Sequence, residues 1–319
     1  MPENETDETT SVPAQRVCGT MPVHRRLLTE DLSYAMARDA VENRAFAFEQ
    51  GFETPSRTGV TVIPVVVHVV HHTAEQDISE EQIVSQIDVL NQDYRMLNPD
   101  VSNVPRVWQP LVADSRIEFR LAAQDPDGRP TTGITRTSTA TDTFGMDDAI
   151  KFTSNGGQDA WPADQYLNFW VAPRLEDPTV GEILGYAQFP GGPAATDGVV
   201  IAHSFVGTTG TARAPFDLGR TATHEVGHWL NLFHIWGDDG QGCSGSDFVA
   251  DTPNAGGPNF GRPTFPSLSC HNAPDGDMFV NYMDYTDDAG MFMFTQGQVA
   301  RMDATLEGPR SSFLKGEGA

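Results

Sequence analysis

The chain has 319 residues, enough for one large domain with an extension. Its 20 Lys and Arg stand against 44 Asp and Glu, a net charge of −24, which excludes nucleic acid as a partner because phosphates would be repelled. No apolar run has the length of a membrane-inserted span. The same acidic balance favours basic peptides, and it equally suits solubility or adaptation to salt. The start, MPENETDETT, is acidic and polar, so no signal peptide is visible. In chain order, the first dozen residues read as disordered. Leu32–Gln50 reads as a helix with Leu32, Met36, Ala40 and Ala47 loosely on one side, and Glu53–Gly59 as a linker. Val60–Val70 is a β-branched strand in which Pro64 marks a bulge or an edge. Ser79–Leu97 is a helix: Ser79 and Gln82 form a capping box, and Ile83, Ile87, Leu90 and Tyr94 make the apolar stripe. Arg116–Ala122, Tyr166–Ala172 and Gly198–Ala202 read as strands, with a short helix within Asp142–Lys151. Gly219–Leu232 is a helix, followed by a Gly/Pro-rich stretch to about Leu268 that needs staples to hold a shape, and then by a closing helix, Thr295–Leu306. No internal repeat is present.

The Gly219–Leu232 helix carries the most informative run, HEVGHWLNLFH from His224 to His234. Residues four apart share a helix face, so His224 and His228 can offer imidazole nitrogens to one metal ion. Glu225, one step round, can stand beside that ion as a general base without ligating it. His234 cannot continue the stripe, so the chain must turn to bring it back. The related zinc signature has Gly at this turn, where φ is usually positive. Asn231 replaces it, and Asn is one of the few residues that enters the left-handed region at modest cost. Three protein ligands leave a fourth position open, the mark of a catalytic zinc site. Downstream, NYMDY centres on Met283, a methionine-containing turn beneath the metal or, taken alone, plain core filler.

Three cysteines complete the pattern. Cys243 and Cys270 flank the irregular segment and are expected to form a disulfide that staples it, which suits an oxidising compartment. Cys18, in RVCGT, is left over. Asp238, Asp239, Asp247 and Asp251 crowd the irregular loop and could bind calcium, Asp247 and Asp251 above all, or remain solvated.

HEVGHWLNLFHIWGD (224–238), DTP (251–253), NYMDYTDD (281–288) and FTQGQVARM (294–302) together resemble the pappalysin (cytophagalysin) family of metzincin metallopeptidases, the ulilysin-like members in particular. Weaker echoes are IPVVVHVV (63–70), YLNFWVAP (166–173) and TDGVVI (196–201), so the likeness runs from about residue 60 to 305. The resemblance implies an α+β metzincin-type zincin. An upper lobe of mixed β-sheet and helices (57–234) and an irregular lower lobe (235–319) would enclose a horizontal active-site cleft, with a prosegment at 1–56. It implies a secreted zinc endopeptidase acting on peptide and protein substrates, with one catalytic zinc on His224, His228 and His234, and Glu225 as base. Tyr285 matches the family tyrosine that bonds the oxyanion, the alternative being a structural tyrosine. Asp288 falls where the family's pocket acid lies, and a carboxylate there would take Arg or Lys just after the scissile bond; the alternative is a solvated or calcium-binding aspartate. Gly185 and Tyr186 would belong to an upper-rim strand that pairs with substrate backbone. Ulilysin-like enzymes also bind calcium in the acidic-loop region.

Cys18 then acquires a role. A thiolate is a good zinc ligand and could fill the open position, so that the prosegment acts as the enzyme's own inhibitor; the alternative is a spare thiol. Cleavage at Ser56–Arg57 would suit an enzyme that cuts before Arg. Two further readings stay open: the same peptidase with a non-basic specificity, and a non-catalytic zinc-stabilised binding protein.

Overall fold

The structure, a computed structural model, describes residues 13 and 15–316, with side chains to Leu314. The disorder expected of the first dozen residues lies outside them. Two helices come first, α1 (Thr20–Glu30) and α2 (Leu32–Glu49). Asp31 separates them and caps α2, accepting from the N–H groups of Ser33 and Tyr34. Only α2 was legible in the sequence, and with the wrong face. Leu32 and Met36 are 77% and 67% exposed, whereas Tyr34, Arg38, Val41, Ala45 and Phe48 are buried. The reason is Arg38, whose guanidinium stacks 4.9 Å from the Phe189 ring and so turns a charged residue inward.

The sheet is built on β1 (Thr61–His71). Its first half pairs in parallel with β2 (Ile117–Leu121) and its second half with β3 (Ile134–Ser138), while β4 (Leu167–Ala172) lies along its other side. Pro64 stands one residue before the β4 pairing begins at Val65, so its missing N–H removes no ladder bond. After a small ladder of β5 (Glu176–Asp177) and β6 (Gly181–Glu182), β7 (Gly185–Ala187) runs antiparallel to β8 (Val199–Ala202), which is parallel to β4. β7 is therefore the edge of a six-stranded, mainly parallel sheet. Between β1 and β2 runs α3 (Glu80–Tyr94), and its capping box is only half made. Ser79 accepts from the Gln82 N–H, but the Gln82 amide instead donates to the carbonyls of His203 and Val206 and pins that loop. Asp142–Lys151 holds no α-helix, only a 3₁₀ turn at Ala149–Lys151.

Against the sheet packs α4 (Arg220–Trp229), buried along its whole length. Beyond it the chain is irregular, with one ladder of β9 (Phe260–Gly261) and β10 (Tyr285–Thr286). The expected Cys243–Cys270 disulfide is formed. The last helix, α5 (Gln296–Leu306), has a complete capping box at Thr295 and Gln298 and packs against α2. Sheet and helices above, irregular chain below, and an edge strand facing the gap reproduce the architecture expected from the sequence.

Candidate active site

α4 presents His224 and His228 on one face, and the turn after it returns His234. Asn231 makes that turn at φ 77°, in the left-handed region. The three Nε2 atoms lie 3.1–3.3 Å from one another. Each Nδ1 is 2.7 Å from a group that can only accept: the Tyr282 carbonyl for His224, the Leu232 carbonyl for His228 and Asp238 Oδ1 for His234. The ring hydrogens are thereby placed on Nδ1, and three Nε2 lone pairs point at one another. Lone pairs do not bond each other; such a trio is satisfied by a cation. Nitrogens at about 2.0–2.1 Å from a tetrahedral zinc would stand about 3.3 Å apart, so these residues fit that ion. Burial holds the His224 and His228 imidazoles well below their ordinary pKa, in the neutral form that ligation requires. Among the described residues, the one group of His, Cys, Asp and Glu whose ligand atoms converge is these three histidines with Cys18, all within 4.8 Å.

Glu225 is buried beside them, and burial pushes its carboxyl up to about 7. Gly185 of β7 allows that approach, since a Cβ there would come 3.2 Å from Glu225 Cγ and 2.8 Å from the Val200 carbonyl. Met283 lies under the metal helix: a Cβ on Gly227 would meet its sulfur at 2.5 Å. Tyr285, half-buried, packs its ring 4.9 Å from His234 and 4.7 Å from Trp236, and burial keeps its phenol protonated.

Residues 16–20 run through this site. Val17 accepts from Leu184 N–H at 3.0 Å, and Gly19 donates to the Gly185 carbonyl at 2.8 Å, so the segment pairs in parallel with the sheet edge. Cys18 Sγ lies 3.5 Å from Glu225 Oε2, and Thr20 Oγ1 donates to the same oxygen at 2.8 Å. Arg16 reaches into a pocket closed by Asp288. Its Nη2 is 2.6 Å from Asp288 Oδ1, its Nη1 donates to Thr221 Oγ1, its Nε to the Thr286 carbonyl, and it lies over the Phe216 ring. The other Asp288 oxygen accepts from Leu218 and Arg220 N–H. Asp288 is thus fully buried rather than solvated.

Other sequence expectations fare differently. The Tyr186 side chain is buried with its ring under Lys151, so it offers the cleft no side-chain contact. Asp247 and Asp251 hold different partners. Asp247 accepts from Thr252 Oγ1 and Val249 N–H, whereas Asp251 accepts from Thr295 Oγ1 and Gly297 N–H at the start of α5. Asp238 and Arg16 were missed as site residues. Asp238 sits four residues after His234 and was read only as part of an acidic loop. Arg16 stands two residues before Cys18, a basic side chain upstream of the thiol in a chain with a buried pocket acid.

Chemistry of this kind, neutral imidazoles gathered for a cation and a carboxylate kept from water, is that of metallohydrolases, and a strand laid across it is that of their latent forms. Comparison with known proteins places it further. Residues 152–307 match the metallopeptidase family described as Pregnancy-associated plasma protein-A. The chain is 30% identical over 92% of its length to an extracellular metalloprotease of Arthroderma gypseum, covering 84% of that protein. It is 36% identical to extracellular metalloprotease 1 of Coccidioides posadasii over 71% of this chain and 69% of that one. Among solved structures it is similar to a promirolysin mutant of Tannerella forsythia, with 47% identity, a TM-score of 0.84 and coverage of 93% of this chain and 97% of that one. It is also similar to Tannerella forsythia mature mirolysin in complex with a cleaved peptide, with 54% identity, a TM-score of 0.74 and coverage of 77% and 91%. The chain belongs to the pappalysin family and is a zinc metalloendopeptidase of the mirolysin type. No described helix is long and apolar enough to cross a membrane.

Proposed function

We propose that this chain is the latent form of a secreted endopeptidase that cuts before basic residues. His224, His228 and His234 hold the zinc, which when bound supplies Lewis acidity to the scissile carbonyl. Glu225 takes the proton of the attacking water and returns it to the leaving amine. Tyr285 donates to the oxyanion as it develops, and the backbone at Gly185 pairs with the substrate strand. Asp288 receives the Arg or Lys side chain after the scissile bond. The observation that carries this specificity is Arg16, an arginine from the chain's own N-terminal part seated on Asp288 with Cys18 beside the histidines. Residues 1–56 form the prosegment, 57–319 the catalytic domain, and cleavage at Ser56–Arg57 separates them. The extracellular naming of the relatives and the disulfide support secretion.

Calcium is proposed at Asp247. Its carboxylate and the Val249 carbonyl both accept from the Thr252 hydroxyl, which gathers three hard oxygens. A chelator that spares zinc should lower the melting temperature, and an unchanged melt would remove the site.

Profiling cleavage of an unbiased peptide mixture tests the whole reading. Arg and Lys should dominate just after the cut bond, with all cleavage lost in Glu225→Ala at unchanged zinc content. Cleavage without that bias would refute the role of Asp288, and activity in Glu225→Ala would refute the base.

A further inference from the structure

A second arginine of the N-terminal segment is paired with a buried acid, although Arg26 is itself 31% exposed where Arg16 is 1%, and its Nη1 also lies 3.5 Å from Glu30 of its own helix. Nη2 of Arg26, on α1, lies 2.5 Å from Asp148 Oδ2 and 3.3 Å from the Met146 carbonyl. The Asp148 carboxylate is 4% exposed, and its other oxygen is 2.7 Å from Lys151 Nζ. Lys151 is fully buried, donates to the Thr196 carbonyl at 2.7 Å, and lies over the rings of Trp170 and Tyr186. It cannot swing out, so it fixes one carboxylate oxygen and leaves the other aimed outward. That outward oxygen and the Met146 carbonyl both accept from one guanidinium nitrogen. Their shared partner in this state, Arg26 Nη2, comes from α1.

The place of this pair in the cleft follows from the chain around it. Asp148 sits beside Tyr186, the neighbour of Gly185 on the sheet edge, and Met146 closes against Gly19, where a Cβ would meet its sulfur at 2.7 Å. Arg16 precedes Cys18 and enters the Asp288 pocket; Gly19 and Arg26 follow Cys18 and reach Met146 and Asp148. The Asp288 pocket thus takes the arginine that precedes Cys18, and Asp148 takes one that follows it on α1.

We propose that Asp148 is a second specificity-determining acid, which takes an Arg or Lys side chain of the peptide substrate on the side of the cleft opposite the Asp288 pocket. It rests on the reading that residues 16–26 occupy the substrate cleft. With Asp288 receiving the residue after the scissile bond, Asp148 serves a residue before it. The preferred substrates then carry basic residues on both sides of the cut, as the charge of the whole protein favours.

The test uses the full-length protein after processing and peptides with Arg fixed after the cut bond. Arg and Gln are exchanged in turn at each position before the bond. Wild-type enzyme should favour Arg over Gln about tenfold in kcat/KM at one such position, mostly through KM, as a charge-assisted contact at a partly open site would give. Asp148→Asn should bring that ratio close to one while the preference for Arg after the bond persists. Because Asp148→Asn leaves the buried Lys151 unpaired, the double variant Asp148→Asn/Lys151→Met, which removes both charges, should give the same result in a stably folded protein. If wild-type enzyme prefers Arg after the bond but none before it, or keeps its preference before it in both variants, the role of Asp148 is overturned. If it shows no preference after the bond either, the reading of the cleft falls with it.

Discussion

Replacing Arg16 by Ala should release the proenzyme while leaving Cys18 in place. The side chains of Arg16 and Asp288 are 1% and 0% exposed, so this is a buried ion pair, and removing one partner strands the other's charge. Such deletions cost about 3–5 kcal/mol. Asp288 keeps two backbone N–H donors, from Leu218 and Arg220, which places the loss at the lower end, about 3 kcal/mol. That is roughly a hundredfold rise in the fraction of molecules whose cleft is open. Arg16→Lys keeps the charge and loses the fork to Thr221 and Thr286, so about tenfold is expected. The assay is the lag before autoprocessing of full-length protein at several dilutions, followed with a quenched peptide and with zinc content measured in parallel. A lag in Arg16→Ala equal to wild type, in a preparation where Cys18→Ala shortens it, would show that the thiol alone maintains latency.

Three further outcomes follow from particular contacts. Gly227→Ala places a Cβ against the fully buried Met283, so about 1–3 kcal/mol of overpacking strain and a weaker hold on zinc are expected. A melt and a zinc titration equal to wild type would contradict the packing argument. Asn231 is buried at positive φ with both amide atoms unpartnered, so Asn231→Gly should stabilise by about 1 kcal/mol, roughly 2 °C in the melting temperature. A lower melting temperature would mean that the lost side-chain volume outweighs the relief. His68, buried between Thr135 and Asn168, has its pKa pushed down by burial from the ordinary 6.5 to about 4. The unfolded chain therefore binds the extra proton first: stability is complete above about 6.5 and falls as pH drops toward 4, by up to about 3 kcal/mol. His68→Gln should flatten that part of the pH–stability curve, and an unchanged slope would assign it to other groups.

What the sequence disclosed, and what it concealed, have separate physical causes. The metal helix was legible because helical spacing alone puts His224 and His228 together, and because few residues besides Gly and Asn make the turn at position 231. α5 was placed correctly as a closing helix, and the structure shows it started by a local device, the capping box of Thr295 and Gln298. α1 was hidden: its N-cap Gly19 makes no side-chain cap, and its place is set by contacts with the sheet edge far along the chain. β3 was missed because its residues are half-buried or exposed and it is defined by pairing with β1 alone. Arg16 belongs to the same class as α1. Asp288 becomes Arg16's neighbour only once the lower part of the chain has folded, whereas Asp238, four residues from His234, was hidden because nothing in the acidic run marks which carboxylate turns back to the histidine.

The position of Arg57 has a consequence for what happens when the N-terminal segment is lost. Its guanidinium is clasped by Asp303 and by the carbonyls of Ser115 and Arg116, and its backbone N–H donates to Glu307 at 2.6 Å, while Glu53–Ser56 just upstream are exposed. A cut anywhere in that exposed stretch leaves the clasp with the body that remains, stitched to the helix that backs the histidine loop through Arg301 and Asn231. The seam is hemmed before the cloth is cut, so shedding the cover need not unravel the garment beneath.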